Sequence, residues 1–255
     1  MHLTPLPALS DNYIWMLAAD DGARALIVDP GEAEPVLAAA QQGLQPAGIL
    51  LTHHHRDHIG GVPSLLERWP DLPVLAPDDE RIPAAYQRVR DDENIEVAGW
   101  RFGVLAVPGH TRSHIAYHGH GLLFCGDTLF SLGCGRMFEG TPEQMHGSLS
   151  RLAALPPETR VCCGHEYTLA NATFARVVEP GNPALRRRSE EAQAMRATGR
   201  PTLPSLLADE LAANPFLRVD VPEVRASLAS ETGHAPADGT DAFAALRRWK
   251  DGFVA

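Results

Sequence analysis

Short apolar runs, each too brief for a helix and closed by turn-forming residues, recur through the first two thirds of the chain. They are Tyr13 to Ala18, Ala25 to Val28, Gly48 to Leu51, Val74-Leu75, Phe102 to Val107, Ile115 to Tyr117, Leu122 to Cys125 and Val161-Cys162. Runs of this length bounded by turn signals predict strands. Between some of them lie helical patterns, Glu34 to Gln42, Val62 to Trp69 and Pro142 to Leu155, the last with proline at its start. Strands mixed with helices in this order predict an α/β or α+β domain with covered sheets. After about Thr168 the pattern changes. Apart from an extended piece expected near Phe216 to Val219, the remainder is helix-like: Leu169 to Val178, Pro183 to Thr198, Pro204 to Ala213, Pro222 to Glu231 and Asp241 to Lys250. The expected organisation is a mixed domain over residues 1–167 followed by a small α-helical domain over 168–255.

Length and charge narrow the picture. A chain of 255 residues has room for a sizeable core, as one large domain or two unequal ones. No apolar run approaches a membrane span, and the opening Met1-His2-Leu3-Thr4-Pro5 lacks a charged start and apolar signal core, so a cytoplasmic location is expected. The net charge of −10 argues against non-specific nucleic-acid binding, which needs a basic footprint. Residues 1–172 hold 11 Lys+Arg against 21 Asp+Glu, and residues 173–255 hold 11 of each, so the acid excess (11 − 21 = −10) lies wholly in the first part. That asymmetry supports two segments with different tasks. Lys250 is the only lysine. The four cysteines, Cys125, Cys134, Cys162 and Cys163, form no Cys-x-x-Cys pair and read as reduced, mostly buried thiols.

Candidate chemistry concentrates in Thr52-His53-His54-His55-Arg56-Asp57-His58, which follows the strand ending at Leu51. Imidazoles with a carboxylate suit zinc and its borderline neighbours. In an extended segment alternate side chains share a side, so His53 and His55 reach one ion while His54 points away. Asp57 and His58 are adjacent and need a turn, which Gly60-Gly61 permits. His110, Asp127 and His165 each follow a predicted strand across a glycine, and residues at the carboxyl ends of neighbouring strands converge on a crevice. Seven donors are thereby available, and the two oxygens of Asp127 suit a bridge between ions about 3.5 to 4 Å apart. His2, His114, His118, His120 and His146 lack such a context and read as ordinary surface or core histidines. Asp29, in Asp29-Pro30-Gly31, either orients a ligand from behind or forms a plain turn; both readings fit.

On these residues the chain resembles the metallo-β-lactamase superfamily, whose His-x-His-x-Asp-His pattern is matched by His53, His55, Asp57 and His58, with His110, Asp127 and His165 following in order. Within it the chain resembles the hydroxyacylglutathione hydrolase (glyoxalase II) family. That narrower likeness rests on Gly133-Cys134-Gly135-Arg136-Met137-Phe138-Glu139-Gly140-Thr141, Gly164-His165-Glu166-Tyr167-Thr168, Thr202-Leu203-Pro204-Ser205 with Glu210, Asn214-Pro215-Phe216-Leu217-Arg218 and Leu246-Arg247-Arg248-Trp249-Lys250-Asp251. The resemblance implies a four-layer αββα sandwich and two divalent ions, zinc foremost with iron or manganese also accepted. One ion would be held by His53, His55, His110 and Asp127, the other by Asp57, His58, His165 and Asp127. It further implies that Arg136, Phe138, Tyr167, Arg247 and Lys250 hold the glutathione part of a thioester, and that a metal-bridging hydroxide hydrolyses S-lactoylglutathione. Phe138 stands where some relatives have tyrosine, and supplies no hydroxyl. A monomer is expected. The competing readings are an iron-dependent persulfide dioxygenase, another hydrolase of the same fold, and a structural metal module.

Overall fold

The computed structural model describes residues 1–20, 24–83 and 87–254. The chain divides into two compact units: Met1–Ala106 with Ser113–Gly126 and Cys162–His165, and Val107–Arg112 with Asp127–Val161 and Glu166–Ala255.

The first unit opens with a sheet of β1 (His2–Ala8), β2 (Asn12–Ala18), β3 (Arg24–Val28), β4 (Gln45–Leu50), β5 (Val74–Pro77) and β6 (Gln87–Val89), ordered β1-β2-β3-β4-β5-β6. The first three strands are antiparallel and the rest parallel. The crossovers carry α1 (Glu34–Gln41), the single turn α2 (Arg56–Ile59) and α3 (Val62–Arg68). Alternation assigns the two faces. Ala25, Ile27, Ile49 and Leu51 pack with Val36, Val62 and Leu65 in the cluster beneath α1 and α3, while Leu26, Val28 and Leu50 are buried on the other side. The expected pieces Tyr13 to Ala18, Ala25 to Val28 and Gly48 to Leu51 are the centre of this sheet. β1 was not predicted because Pro5 and Pro7 interrupt it. The sheet order puts it at the edge, where a strand tolerates missing N–H donors.

A second sheet in the same unit is built from β7 (Asn94–Val97), β8 (Trp100–Ala106), β9 (Ile115–Gly119) and β10 (Leu122–Gly126), antiparallel throughout. The end of β13 (Arg160–Cys163) lies beside β10. Tyr117 of β9 reaches the first sheet, donating its hydroxyl to the carbonyls of Leu51 (3.0 Å) and Leu75 (3.3 Å). A side chain at Gly48 of β4 would run into Val97 of β7, so the two sheets meet closely there. Within this unit the strand carboxyl ends at Val28, Leu50 and Cys163 run on to Asp29, to the loop that begins at Thr52 and to His165.

The second unit holds the small hairpin β11 (Leu129–Phe130) and β12 (Gly133–Cys134), the helix α4 (Pro142–Ala153), and β14 (Ser205–Leu206), which pairs with the start of β13. Its helical part comprises α5 (Thr168–Val178), α6 (Pro183–Ala197), α7 (Leu207–Ala213), α8 (Pro222–Thr232) and α9 (Gly239–Gly252). Local chemistry sets the starts. Thr141 and Gln144 form a reciprocal capping box at the start of α4, and the Asn182 side-chain oxygen Oδ1 accepts from two amides of α6. The expected helix Pro204 to Ala213 begins only at Leu207, because Ser205-Leu206 joins β13 as a strand. The extended piece expected at Phe216 to Val219 is corrected to a 3₁₀ turn, Pro215–Leu217, closed by Asn214 accepting from the Phe216 amide at 3.1 Å. Phe174, Phe216 and Phe243 form an aromatic core, with centroids 6.2 and 6.0 Å apart along the series. Buried Glu179 receives both Nε (2.9 Å) and Nη2 (2.7 Å) of Arg218.

Candidate metal centre

Asp29 organises the histidine-rich loop of the first unit. It leaves β3 in a left-handed conformation (φ 52°) and is buried. Its carboxylate accepts from the Thr52 amide (2.8 Å), the Thr52 hydroxyl (2.7 Å) and His58 Nδ1 (3.0 Å). One acid thus fixes both ends of the loop. α2 supplies the turn that Asp57 and His58 require, with the His58 amide bonded to the His55 carbonyl at 2.9 Å. Side chains at Gly31 or Gly60 would collide with the backbone of Asp57 and of Gly31, respectively, so the chain leaving β3 lies directly against the loop.

Four imidazoles, those of His53, His58, His165 and His110, are oriented in one consistent way. His53 Nδ1 lies 3.0 Å from the Thr52 hydroxyl oxygen, whose own proton goes to Asp29. His58 Nδ1 faces Asp29, and His165 Nδ1 lies 2.7 Å from Asp11. In the second unit His110 Nδ1 lies 2.8 Å from the Arg136 carbonyl. An oxygen acceptor at Nδ1 assigns the proton to that nitrogen and leaves the Nε2 lone pair for another ligand. Those lone pairs meet other donors. His53 Nε2 is 3.1 Å from His55 Nδ1, and His58 Nε2 and His165 Nε2 are 3.5 and 3.4 Å from the same Asp57 oxygen. Asp57, His58 and His165 each offer an atom within 4.8 Å of the others. In the second unit, His110 Nε2 lies 3.4 Å from Asp127. Nitrogen and carboxylate donors whose outer protons are already held form the donor set a first-row divalent cation takes, and the acceptors behind the imidazoles are the usual supporting partners of metal-bound histidine.

The predicted residues fall into these two sets: His53, His55, Asp57, His58 and His165 in the first unit, His110 and Asp127 in the second. His54 has its Nδ1 3.6 Å from Asp79, and its ring lies 4.7 Å from that of His55. Arg81 and then Ser113 bond the Asp79 carboxylate and hold it well below the usual carboxylate range. Asp29 proves to be both the turn and the partner of His58. His114, read as an ordinary histidine, is fully buried and stacks on His53 with centroids 4.5 Å apart. Sequence reasoning also passed over Asp11 and Asn12. Asn12 donates its amide to the Asp57 carboxylate at 3.0 Å, and the only available signal was a pair of polar residues opening β2. His146 lies outside both sets, bonding Thr240 and stacking on Phe243.

Residues implied to hold glutathione lie in the second unit. Arg136 is largely exposed, with Nε 3.7 Å from Asp251. Phe138 is 64% exposed, and its ring stands 5.2 Å from that of His110. The Tyr167 ring packs edge-on against Phe130. Arg247 is buried, donating to the Cys134 carbonyl and to Asp251, both at 2.9 Å. Lys250 donates to the Ala170 carbonyl and lies 5.0 Å above the Phe174 ring. Burial, then repulsion from Arg247, brings its pKa down to about 8. All four cysteines are buried.

Comparison with known proteins places the chain among relatives. Residues 10–165 match the family described as the metallo-beta-lactamase superfamily, and residues 166–253 match the one described as hydroxyacylglutathione hydrolase C-terminus. A hydroxyacylglutathione hydrolase of Xanthomonas euvesicatoria pv. vesicatoria is 63% identical over 254 residues, covering 99% of each chain. Another, from Xylella fastidiosa strain M23, is 59% identical over 253 residues, covering 99% of this chain and 98% of that one. The solved structure of the BLEG-1 B3 metallo-beta-lactamase, 23% identical, superposes with a TM-score of 0.65 over 85% of this chain and 99% of that one, and shares its fold. Among the described residues no helix is long and apolar enough to cross a membrane. With its mixed α/β sheets, helical C-terminal part and full-length likeness to named relatives, the chain belongs to the hydroxyacylglutathione hydrolase family of the metallo-β-lactamase superfamily.

Proposed function

We propose that the protein hydrolyses S-(2-hydroxyacyl)glutathione, with S-lactoylglutathione as main substrate, to glutathione and a 2-hydroxy acid such as D-lactate, the second step of methylglyoxal detoxification in the cytoplasm. The observation that carries this reading is the set of histidines whose Nδ1 protons are held by Thr52, Asp29, Asp11 and the Arg136 carbonyl, leaving Nε2 for metal, in a chain about 60% identical to named hydrolases. In this reading His110 and Asp127 join the donors of the first unit in one binuclear centre. Residues 1–167 form the catalytic domain and 168–255 the domain that holds glutathione.

His53, His55, His110 and Asp127 would hold one divalent ion and Asp57, His58, His165 and Asp127 the other. Zinc fits these donors, and iron and manganese are also accommodated. When bound, the pair lowers the pKa of water toward neutrality and polarises the thioester carbonyl. Asp57, the donor carboxylate most open to solvent and anchored by Asn12, orients the attacking water. A thiol with pKa near about 8.5 departs as thiolate, so no protein acid is needed at the sulfur. Phe138 lies along the glutathionyl moiety. Tyr167 is placed to bond it, and Arg136, Arg247 and Lys250 supply positive charge for its carboxylates in an otherwise acidic chain. The C-terminal match to the hydroxyacylglutathione hydrolase family favours thioester hydrolysis over persulfide oxidation or another reaction of this fold. Thiol release from S-lactoylglutathione, present with metal and abolished by a chelator, tests substrate and metal together. A metal-replete protein inert toward the thioester would refute the reading.

The position of Lys250 leads to a pH dependence. Its ammonium form is progressively lost as pH rises through about 8. Loss of one charge-assisted bond to a carboxylate, about 1.5 kcal/mol, corresponds to roughly a tenfold higher KM. KM for S-lactoylglutathione is expected to climb between pH 7 and 9, and the limb assigned to this residue should vanish in Lys250→Arg, whose guanidinium stays charged. A rise of equal size and midpoint in that variant would remove Lys250 from substrate binding.

A further inference from the structure

The hairpin β11-β12 is held in an unusual manner. Its turn residue Leu132 adopts a left-handed conformation, φ 58°, that L residues with branched side chains avoid. Leu132 is nonetheless fully buried, packed with Ala172 and Ala175 of α5, Leu185 of α6 and Ala213 of α7. Five consecutive residues are tied by polar side chains from the helical part. The Leu132 amide donates to Glu210 (2.7 Å), and the Ser131 carbonyl accepts from Asn171 (3.1 Å). The Phe130 and Gly133 carbonyls accept from Asn214 (3.0 and 2.9 Å), and the Cys134 carbonyl accepts from Arg247 (2.9 Å). Glu210, Asn214, Asn171 and Arg247 are all buried. A ladder of two residues per strand has little stability of its own, so these ties set its shape.

The two feet of the hairpin bear on the candidate centre. Asp127 stands just before one strand, and the Gly135 amide bonds back to the Thr128 carbonyl at 3.2 Å. Arg136 follows, and its carbonyl is the acceptor that orients His110 at 2.8 Å. A side chain at Gly135 would collide with the Asp127 carbonyl, so the feet are in direct contact. We propose that this hairpin, plugged through Leu132 into α5, α6 and α7, sets the positions of Asp127 and His110, with Glu210, Asn214 and Asn171 as positioning residues. The helical domain would thereby govern metal affinity as well as hold substrate. The inference rests on the proposed metal-binding roles of Asp127 and His110.

The test measures Zn²⁺ affinity of the full chain by chelator competition, the absorption spectrum of the Co²⁺-loaded protein, and amide exchange across residues 128–136. Glu210→Leu is expected to speed exchange in the hairpin, weaken Zn²⁺ binding about tenfold and alter the Co²⁺ spectrum, by analogy with changes made behind metal ligands. Glu210→Gln, which keeps an acceptor for the Leu132 amide, should recover most of each effect. If Glu210→Leu does not fold, Asn171→Ala, which removes a single bond, decides by the same three readouts. Faster exchange with unchanged Zn²⁺ affinity and Co²⁺ spectrum would overturn the proposal, as would a wild-type chain that binds no Zn²⁺. A wild type that holds Zn²⁺ but leaves S-lactoylglutathione intact defeats the thioesterase reading alone. Variants that lose thioesterase activity with intact Zn²⁺ binding defeat the hairpin proposal alone.

Discussion

Asp127→Ala is expected to lower kcat/KM for S-lactoylglutathione about a thousandfold or more and to leave fewer than two metal ions per chain. Asp127 is buried, with His110 Nε2 at 3.4 Å, and in the proposed centre it is the one residue shared by both ions. Losing a shared ligand removes several kcal/mol of charge stabilisation at the reacting carbonyl, and each 1.4 kcal/mol is about a factor of ten in rate. The folded state should survive, because a buried carboxylate contributes little to stability without its cation and its removal relieves desolvation. Metal analysis of the purified variant alongside steady-state kinetics and thermal unfolding separates the two effects. A variant that retains two ions and wild-type turnover would refute the shared-ligand role.

Asp29→Ala should produce the largest loss of stability among single changes near the centre, about 3 to 4 kcal/mol in urea unfolding of the metal-free chain. The change strands three donors at once: the Thr52 amide, the Thr52 hydroxyl and His58 Nδ1, with Thr52 and His58 both buried. Each orphaned buried polar group costs about 1 to 3 kcal/mol. Asp29→Asn keeps one acceptor oxygen and should lose about half as much. With metal present the deficit should widen, since His58 loses the partner that fixes its proton on the outer nitrogen. If Asp29→Ala cost less than about 1 kcal/mol, the loop would be held by packing instead.

Period and punctuation carried the fold where strands are central and helices are capped. β2, β3, β4 and β8 to β10 are recognisable from short apolar runs within them, and α4 announces itself through Pro142 at its start. The elements that escaped lack such signals. β1 carries two prolines, β6 and β7 are three and four residues long, and β14 exists only because β13 offers it an edge. Propensity is weak for pieces this short, and tertiary pairing decides them. At the centre, the spacing of His53, His55, Asp57 and His58 was informative because the donors are close along the chain. Asp11, Asn12 and His114 were not, since their roles come from strands meeting in space: the Asn12 amide reaches Asp57 from 45 residues away, and His165 reaches Asp11 across 154. The Leu132 plug was equally hidden, because a leucine in a left-handed turn runs against local preference and is stabilised only by its helical surroundings.

Lys250 carries the only ε-amine of the chain, and that amine is half free base near pH 8, where an ordinary lysine is almost wholly protonated. Amine-selective fluorophores applied near neutrality therefore have a single side-chain address, set beside the aromatic rings of Phe174 and Phe253. A dye attached there would report by its emission on the packing of those rings, without any engineered cysteine.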